Sequence, residues 1–439
     1  MYTRVGILGA GISGIGAALL AKSRGYEVWV SDDNTIKEDR KETLREHHIP
    51  FEEKGHQIEK LLTCDVIVKS PGIPNDSSVM QALLQSHIEV IGEIEWAYRH
   101  ANGKIIGITG SNGKTTTTGL CHHFLQEAGI KAAKVGNVGE GFCHYLAQDT
   151  ADWYVCELSS FQLEDVIDFR PNVAIVLNIT PDHLDRYDYS LDKYADAKMR
   201  IVHSMLEEDT LIYNAMDPVT MAKVVSTQME PRLWSIRETD LLGDDKVYAR
   251  EDLILDMSTS RLMGKHNQVN LLAAARAALL AGCPAESLQG SLNSFVNEAH
   301  RMELAGEKKG VRYINDSKAT NVDAVYYALG AMKGKVIWIA GGQDKGNDYG
   351  PVMEFVRNKV KALICLGLDN KKLYETFSTE VNSLSETTTM REAVRRAASL
   401  ASPGDTVLLS PACASFDLFK DYKDRGDQFK KFVNELEDV

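Results

Sequence analysis

The sequence predicts a three-domain α/β chain: a Rossmann-like domain at the N-terminus, a central P-loop-type α/β domain, and a second Rossmann-like domain at the C-terminus. Three observations predict it. Short apolar runs alternate with helical patterns from end to end, the pattern of parallel sheets wrapped by helices. Two glycine-rich turns, Gly9-Ala10-Gly11-Ile12-Ser13-Gly14 and Gly110-Ser111-Asn112-Gly113, each follow such a run and open a helix. The length of 439 residues accommodates two or three domains. Boundaries are expected at 1–92, 93–297 and 298–439.

Residues 4–33 form the opening βαβ unit: a strand Val5–Leu8, a helix to about Arg24, and a strand Glu27–Ser31 followed by Asp32-Asp33. This satisfies G-x-G-x-x-G with an acid about twenty residues on, which read alone points to a dinucleotide. The alternative is a Rossmann-like module holding another diphosphate, with Ser13 and Gly11 near the phosphates. The strand ending in Lys69-Ser70-Pro71-Gly72 places Ser70 and Gly72 at the same carboxyl edge, where ligands of such sheets bind.

The central domain is organised around Ile105–Thr118. Its apolar run breaks at Gly110, and Lys114 and Thr115 begin a helix to about Ala128. Glycines let the backbone N–H groups curl around an anion, and the helix N-terminus adds about half a positive charge. Lys114 supplies an ammonium for the outer phosphates, and Thr115 a hydroxyl for Mg²⁺. The strict G-x-x-x-x-G-K-[ST] spacing would put its first glycine at Ile108, so Gly110 starts a shorter loop. A second phosphate loop lowers the case for an oxidoreductase built on Gly9, Gly11, Gly14 and Asp32. Two further strands stop on polar groups: Asp152–Glu157, and Val173–Asn178 with Thr180-Pro181-Asp182-His183 after it. A carboxylate at a strand end beside a phosphate loop suits Mg²⁺, which takes oxygen ligands. A helix is expected over Ser190–Leu206, carrying Lys198, and another from about Gly264 to Ala281. Asn267 and Asn270, three apart, share a face at its start, either reading an adenine edge or capping and packing.

The last domain has strands Arg312–Asn315, Val336–Ala340, Lys361–Leu366 and Thr406–Leu409. Their downstream loops, Asp316–Asn321, Gly341–Gly346 and Ser410–Phe416, put three polar segments on one rim.

Net charge is −13, which argues against nucleic acid or an anionic membrane as partner. It does not exclude a small anionic substrate, because screening over about 8 Å leaves local cations and amides in control of a cleft. Seven scattered cysteines without a C-x-x-C pair argue against disulfides or zinc and for a cytoplasmic protein. No signal peptide or bilayer-spanning apolar run is visible in the sequence.

Six segments in this order, GITGSNGKTTTT (107–118), ELSSFQL (157–163), DHLDRY (182–187), GKHNQVN (264–270), NDSKATN (315–321) and LSPACASFDLFKDYKDRG (409–426), resemble the Mur ligase family through the whole chain. The resemblance is closest to its D-glutamate-adding branch. It implies an ATP-dependent, amide-forming ligase of peptidoglycan precursor synthesis, hence of cell wall biogenesis, cell shape and cell division. UDP-N-acetylmuramoyl-L-alanine would be activated as an acyl phosphate and then attacked by the amine of D-glutamate. It further implies two Mg²⁺ ions at Thr115, Glu157, His183 and a carbamylated Lys198, with Lys114, His183 and Lys198 catalytic.

By the same resemblance, Gly110, Ser111, Asn112, Gly113, Lys114, Thr115, Thr116, Asn267, Asn270, Arg301, Asp316 and Lys318 bind ATP. Ser13, Ser70, Gly72, Asn137 and His183 contact the UDP-sugar. Thr320, Lys345, Ser415, Phe416 and Tyr422 form the D-glutamate pocket. The chain departs from the family after its strand-end aspartate: Asp33 and Asn34 replace a threonine and an arginine and offer no cationic grip. A monomer is expected. Another ligase of the family, including a folate-glutamylating one, and a nucleotide-gated binding protein are the remaining alternatives.

Overall fold

The computed structural model describes residues 2–260, 262, 264–344 and 346–436. Its first sheet comprises β1 Arg4–Leu8, β2 Glu27–Ser31, β3 Phe51–Glu52, β4 Val66–Lys69 and β5 Glu89–Gly92. They pair in parallel in the order β3-β2-β1-β4-β5. Chain order reverses between β1 and β4, so the turns after these strands open on one crevice.

The second sheet comprises β6 Lys104–Thr109, β7 Ala132–Gly136, β8 Trp153–Glu157, β9 Val173–Val176, β10 Thr210–Asn214 and β11 Arg232–Ile236. All pairs are parallel, in the order β11-β10-β9-β6-β8-β7. β6 therefore stands between β9 and β8, with Ile108 opposite Glu157 and Thr109 opposite Val176. The three polar strand ends of the central domain are neighbours for that reason. Their strands are buried on both faces, as parallel strands covered by helices must be.

A small sheet follows, β12 Leu241–Leu242, β13 Lys246–Arg250 and β14 Leu253–Asp256. The last sheet comprises β15 Glu303–Lys308, β16 Val311–Asn315, β17 Val336–Ala340, β18 Val360–Leu366, β19 Ser383–Thr387 and β20 Thr406–Leu409. Its order is β15-β16-β20-β17-β18-β19, parallel except for the β15–β16 hairpin. The adjacency β16-β20-β17 puts the three expected polar loops side by side.

The chain divides into two compact units, Met1–Asp240 with Tyr248–Leu253 and Asn270–Leu292, and Leu241–Val247 with Ile254–Val269 and Asn293–Val439. The first contains both leading sheets, cemented by buried polar contacts. Lys69 Nζ lies 2.9 Å from Asp165 Oδ2, the Cys143 N–H donates to Glu93 Oε1 at 2.7 Å, and Arg186 donates to the Pro71 carbonyl at 3.2 Å.

The expected strands are all present. The helix expected over 190–206 is shorter: α-helix spans Leu191–Met199 and tightens into a 3₁₀ turn, Arg200–Val202. β9 leaves its ladder at Val176, two residues early, because Asn178 turns to the Gly110–Gly113 loop instead. All seven cysteines are free and buried. Among the described residues, no helix is long and apolar enough to cross a membrane.

Candidate active site

The loop after β6 is held by its neighbours rather than by itself. Asn178 Oδ1 accepts the Asn112 N–H at 2.8 Å, and its Nδ2 donates to the Asn112 carbonyl at 3.1 Å. Ser111 Oγ donates to the Thr180 carbonyl at 2.8 Å and accepts the Thr180 N–H at 2.9 Å. Gly113 caps the helix Lys114–Glu127 with φ +86°, and a Cβ there would meet Asn270 Oδ1 at 2.3 Å. Only glycine satisfies both the left-handed backbone and that approach. Thr115 and Thr116 are buried in the first helical turn.

Two lysines converge on one carbonyl. Lys114 Nζ donates to Gly110 O at 2.7 Å and to Ser111 O at 2.8 Å. Lys198 Nζ, on the helix Leu191–Met199, donates to the same Gly110 O at 3.0 Å. Lys198 is 1% exposed and stands 4.5 Å from the Tyr194 ring centroid, one helical turn away. Burial, then the charge of Lys114, hold its pKa well below the ordinary lysine value, against the smaller pulls of Asp182 and Glu157. The side chain is therefore disposed to be a neutral amine.

Glu157, at the end of β8, is 2% exposed. Its Oε1 accepts Asn137 Nδ2 at 2.9 Å, while Oε2 is buried with no hydrogen-bond partner. An orphaned buried carboxylate oxygen at the end of a strand next to β6 and its glycine-rich loop lacks a cation or a donor. Among the described residues there is no group of three or more His, Cys, Asp or Glu that could hold a metal. One carboxylate, a threonine hydroxyl and phosphate oxygens are nonetheless a donor set that fits Mg²⁺. His183 is half-exposed, with φ +51°, and its ring meets Phe161 edge-on at 5.2 Å.

In the first sheet, Gly9 has φ +92°, and Ser70 Oγ donates to its carbonyl at 3.3 Å. Ser13 lies in the first turn of the following helix, and Gly72 just beyond the Ser70 turn. Asp32 accepts the Ala10 N–H at 2.6 Å and the Asn34 N–H at 2.8 Å. A carboxylate so engaged by its own loop is poorly placed to read a ribose, which weakens the dinucleotide reading. Arg40, which sequence reasoning passed over, donates to the Ala10 carbonyl at 3.0 Å.

The second unit groups another set. Asp316, 3% exposed, accepts the Ser410 hydroxyl at 3.0 Å and the Met302 N–H at 3.2 Å. Burial pushes its carboxyl up to about 6, partly offset by Arg301. Arg301 sits between two left-handed residues, His300 and Met302, and its Nε is buried without a partner. Lys318 Nζ lies 3.3 Å from Glu298 and 5.8 Å from the Tyr422 ring centroid. Ser415 is buried, whereas Thr320 and Phe416 are exposed. Asn267, of the second unit, and Asn270, of the first, are each buried in the first turns of the helix His266–Leu280. Lys345 lies outside the described residues.

Comparison with known proteins decides the family. The Mur ligase middle domain matches residues 108–278, the Mur ligase glutamate ligase domain 300–413, and the MurD N-terminal domain 4–79. The UDP-N-acetylmuramoylalanine–D-glutamate ligase of Bacteroides thetaiotaomicron is 44% identical over 99% of this chain and 100% of its own. The chain belongs to the Mur ligase family. The enzyme of the same name from Bacteroides fragilis is 45% identical with the same coverage. Among solved structures, the MurF ligase of Thermotoga maritima in complex with ADP matches with a TM-score of 0.60 at 15% identity, over 95% of this chain and 99% of its own. That likeness supports the three-domain α/β fold of a Mur ligase.

Three groups that shape the site carried little signal in the sequence. Asn178 read as a strand end, Asp182 as part of a motif without a role, and Tyr194 was passed over. The order β9-β6-β8 and the four-residue spacing of Tyr194 and Lys198 were the available clues.

Proposed function

We propose that the protein is the ATP-dependent ligase that joins D-glutamate to UDP-N-acetylmuramoyl-L-alanine in peptidoglycan precursor synthesis. The observation that carries this is the identity of 44–45% over 99% of the chain to ligases of that specificity. The cluster at the end of β6 supplies a physical reason for the chemistry.

Phosphoryl transfer asks a protein mainly to position groups and neutralise charge. The Gly110–Thr115 amides would cradle the phosphates of ATP, with Lys114 turning from its loop carbonyls to the outermost phosphate. The alanyl carboxylate attacks that phosphorus and ADP leaves; the resulting acyl phosphate is attacked by the amine of D-glutamate, and phosphate departs. Thr115 and Glu157, with His183 and a modified Lys198, would hold Mg²⁺, which when bound spreads the phosphate charge. In its neutral form, which burial and the charge of Lys114 favour, Lys198 Nζ would attack CO₂: a C–N bond forms, one proton is released to solvent, and a carbamate anion replaces the amine.

Asn267, Asn270, Arg301, Asp316 and Lys318 are assigned to ATP, and Ser13, Ser70, Gly72, Asn137 and His183 to the UDP-sugar. Thr320, Lys345, Ser415, Phe416 and Tyr422 are assigned to D-glutamate. A dianionic amino acid calls for a cation with hydroxyl donors, the combination Lys345, Thr320 and Ser415 provide. Domain boundaries near residues 92 and 297, a cytoplasmic location and a monomeric state belong to the same reading.

The test is isotope transfer. With ¹⁸O in the alanyl carboxylate, purified protein, ATP, Mg²⁺ and D-glutamate, one ¹⁸O must appear in released phosphate for each amide formed. Amide product without label in phosphate would overturn the acyl-phosphate route.

A further inference from the structure

Arg425 lies in the first turn of the helix Tyr422–Asn434 and is 1% exposed. Its Nε donates to the Ser317 hydroxyl at 3.0 Å and its Nη2 to the Ser317 carbonyl at 2.8 Å. Its Nη1 reaches the carbonyls of Cys413 at 3.1 Å and Gly341 at 3.5 Å. Those residues belong to the turns after β16, β20 and β17, three adjacent strands of one sheet. The same turns carry Asp316, Lys318, Thr320 and Ser415.

Close approach is built in around it. Gly342 has φ +127°, and a Cβ there would meet the Ala414 carbonyl at 2.2 Å and Arg425 Nη1 at 3.3 Å. Every hydrogen-bond acceptor of the guanidinium is neutral, and among the described residues no carboxylate forms an ion pair with it. Cys413 and Asp417 exert the electrostatic pulls on it, while burial draws its pKa down to about 10.

A buried guanidinium with no carboxylate in ion-pair contact is a costly way to join three turns, since an unpaired buried charge opposes folding. Its cation, offset only at longer range by Asp417 and set in a low-dielectric wall, instead raises the potential at the rim formed by those turns. A substrate with two carboxylates responds to that potential more than one with a single carboxylate.

We propose that Arg425 is a positioning residue for the incoming amino acid: it locks the Ser317, Gly341 and Cys413 turns in one arrangement and contributes the charge that favours a second carboxylate. This rests on reading that rim as the D-glutamate pocket.

The test is steady-state kinetics of full-length Arg425→Met and Arg425→Lys, each checked by thermal melting. For Arg425→Met, KM for D-glutamate rises about tenfold or more while kcat falls less than about threefold. KM for ATP and for the UDP-sugar, and inhibition by D-glutamine, which lacks the second charge, stay within about twofold. A merely structural arginine would move all four constants together or lower kcat alone, and either result overturns the proposal. Should Arg425→Met fail to melt cooperatively, Arg425→Lys decides: KM for D-glutamate must rise about threefold with the other constants fixed, and a uniform change overturns the proposal. A wild-type enzyme that releases phosphate with a different amino acid and ignores D-glutamate refutes the reaction assignment itself, a result distinct from either variant's.

Discussion

Replacing Asn178 by alanine isolates the clamp on the Gly110–Gly113 loop. The side chain makes two hydrogen bonds to the backbone of Asn112, at 2.8 and 3.1 Å, and is otherwise outside the reacting groups. Each such bond contributes about 0.5–1.5 kcal/mol net, so Asn178→Ala costs the ordered loop about 1–3 kcal/mol. If the ordered loop is the form that binds triphosphate, this appears as a rise in KM for ATP of about 5- to 140-fold, at about 1.4 kcal/mol per factor of ten. KM for the other two substrates stays unchanged. Asn178→Asp still accepts the Asn112 N–H but no longer donates to its carbonyl, and it adds a negative charge beside the loop. Its KM for ATP is expected at or above that of the alanine variant. Phosphate release with varied ATP, alongside a melting curve, is the assay. A KM for ATP within about twofold of wild type in a fully folded Asn178→Ala protein would refute the reasoning, because the clamp would then be idle.

Two other outcomes follow from buried ionisable groups. Lys198→Ala is expected to lose about 100-fold or more in kcat, with partial recovery on adding a short-chain carboxylic acid that replaces the carbamate; an unaffected mutant would remove Lys198 from the mechanism. Burial raises the Asp316 carboxyl from 3.8 to about 6, so the folded state holds that proton more tightly than the unfolded chain. The stability this provides is present below pH 3.8 and is lost as pH rises through about 6, by at most about 3 kcal/mol. Asp316→Asn should therefore gain melting temperature over wild type at pH 8 but little at pH 4.5, while losing ATP affinity. An equal difference at both pH values would show that Asp316 does not titrate as described.

Much of the fold was legible because parallel strands buried on both faces leave continuous apolar runs, as in Ile105–Ile108 and Val336–Ala340. The candidate site was legible where one residue type does what others cannot: Gly113 before Lys114-Thr115, and Glu157 at a strand end. Short or half-exposed elements were not. β12–β14 alternate weakly around Gly243-Asp244-Asp245 and present few buried residues, and β15 is interrupted by Gly306 at a register shift. Side-chain partnerships between distant residues were also hidden. Nothing in VLNIT marks Asn178 as the clamp of Asn112, and Arg425 reads as one more basic residue in KDYKDRG until folding buries it. The turn at Met199–Arg200 is explained afterwards by Arg200, which leaves the helix to donate to the Leu163 carbonyl at 2.9 Å.

The proposed reaction requires the Gly110–Thr115 loop to deliver the outermost phosphate of ATP to the alanyl carboxylate. Lys114→Ala, folded and supplied with saturating ATP, Mg²⁺, UDP-N-acetylmuramoyl-L-alanine and D-glutamate, tests it most directly by single-turnover formation of the D-glutamyl product. A fall of about 100-fold or more, matched by the loss of ADP and phosphate, is predicted. Product formation at the wild-type rate would contradict the central claim.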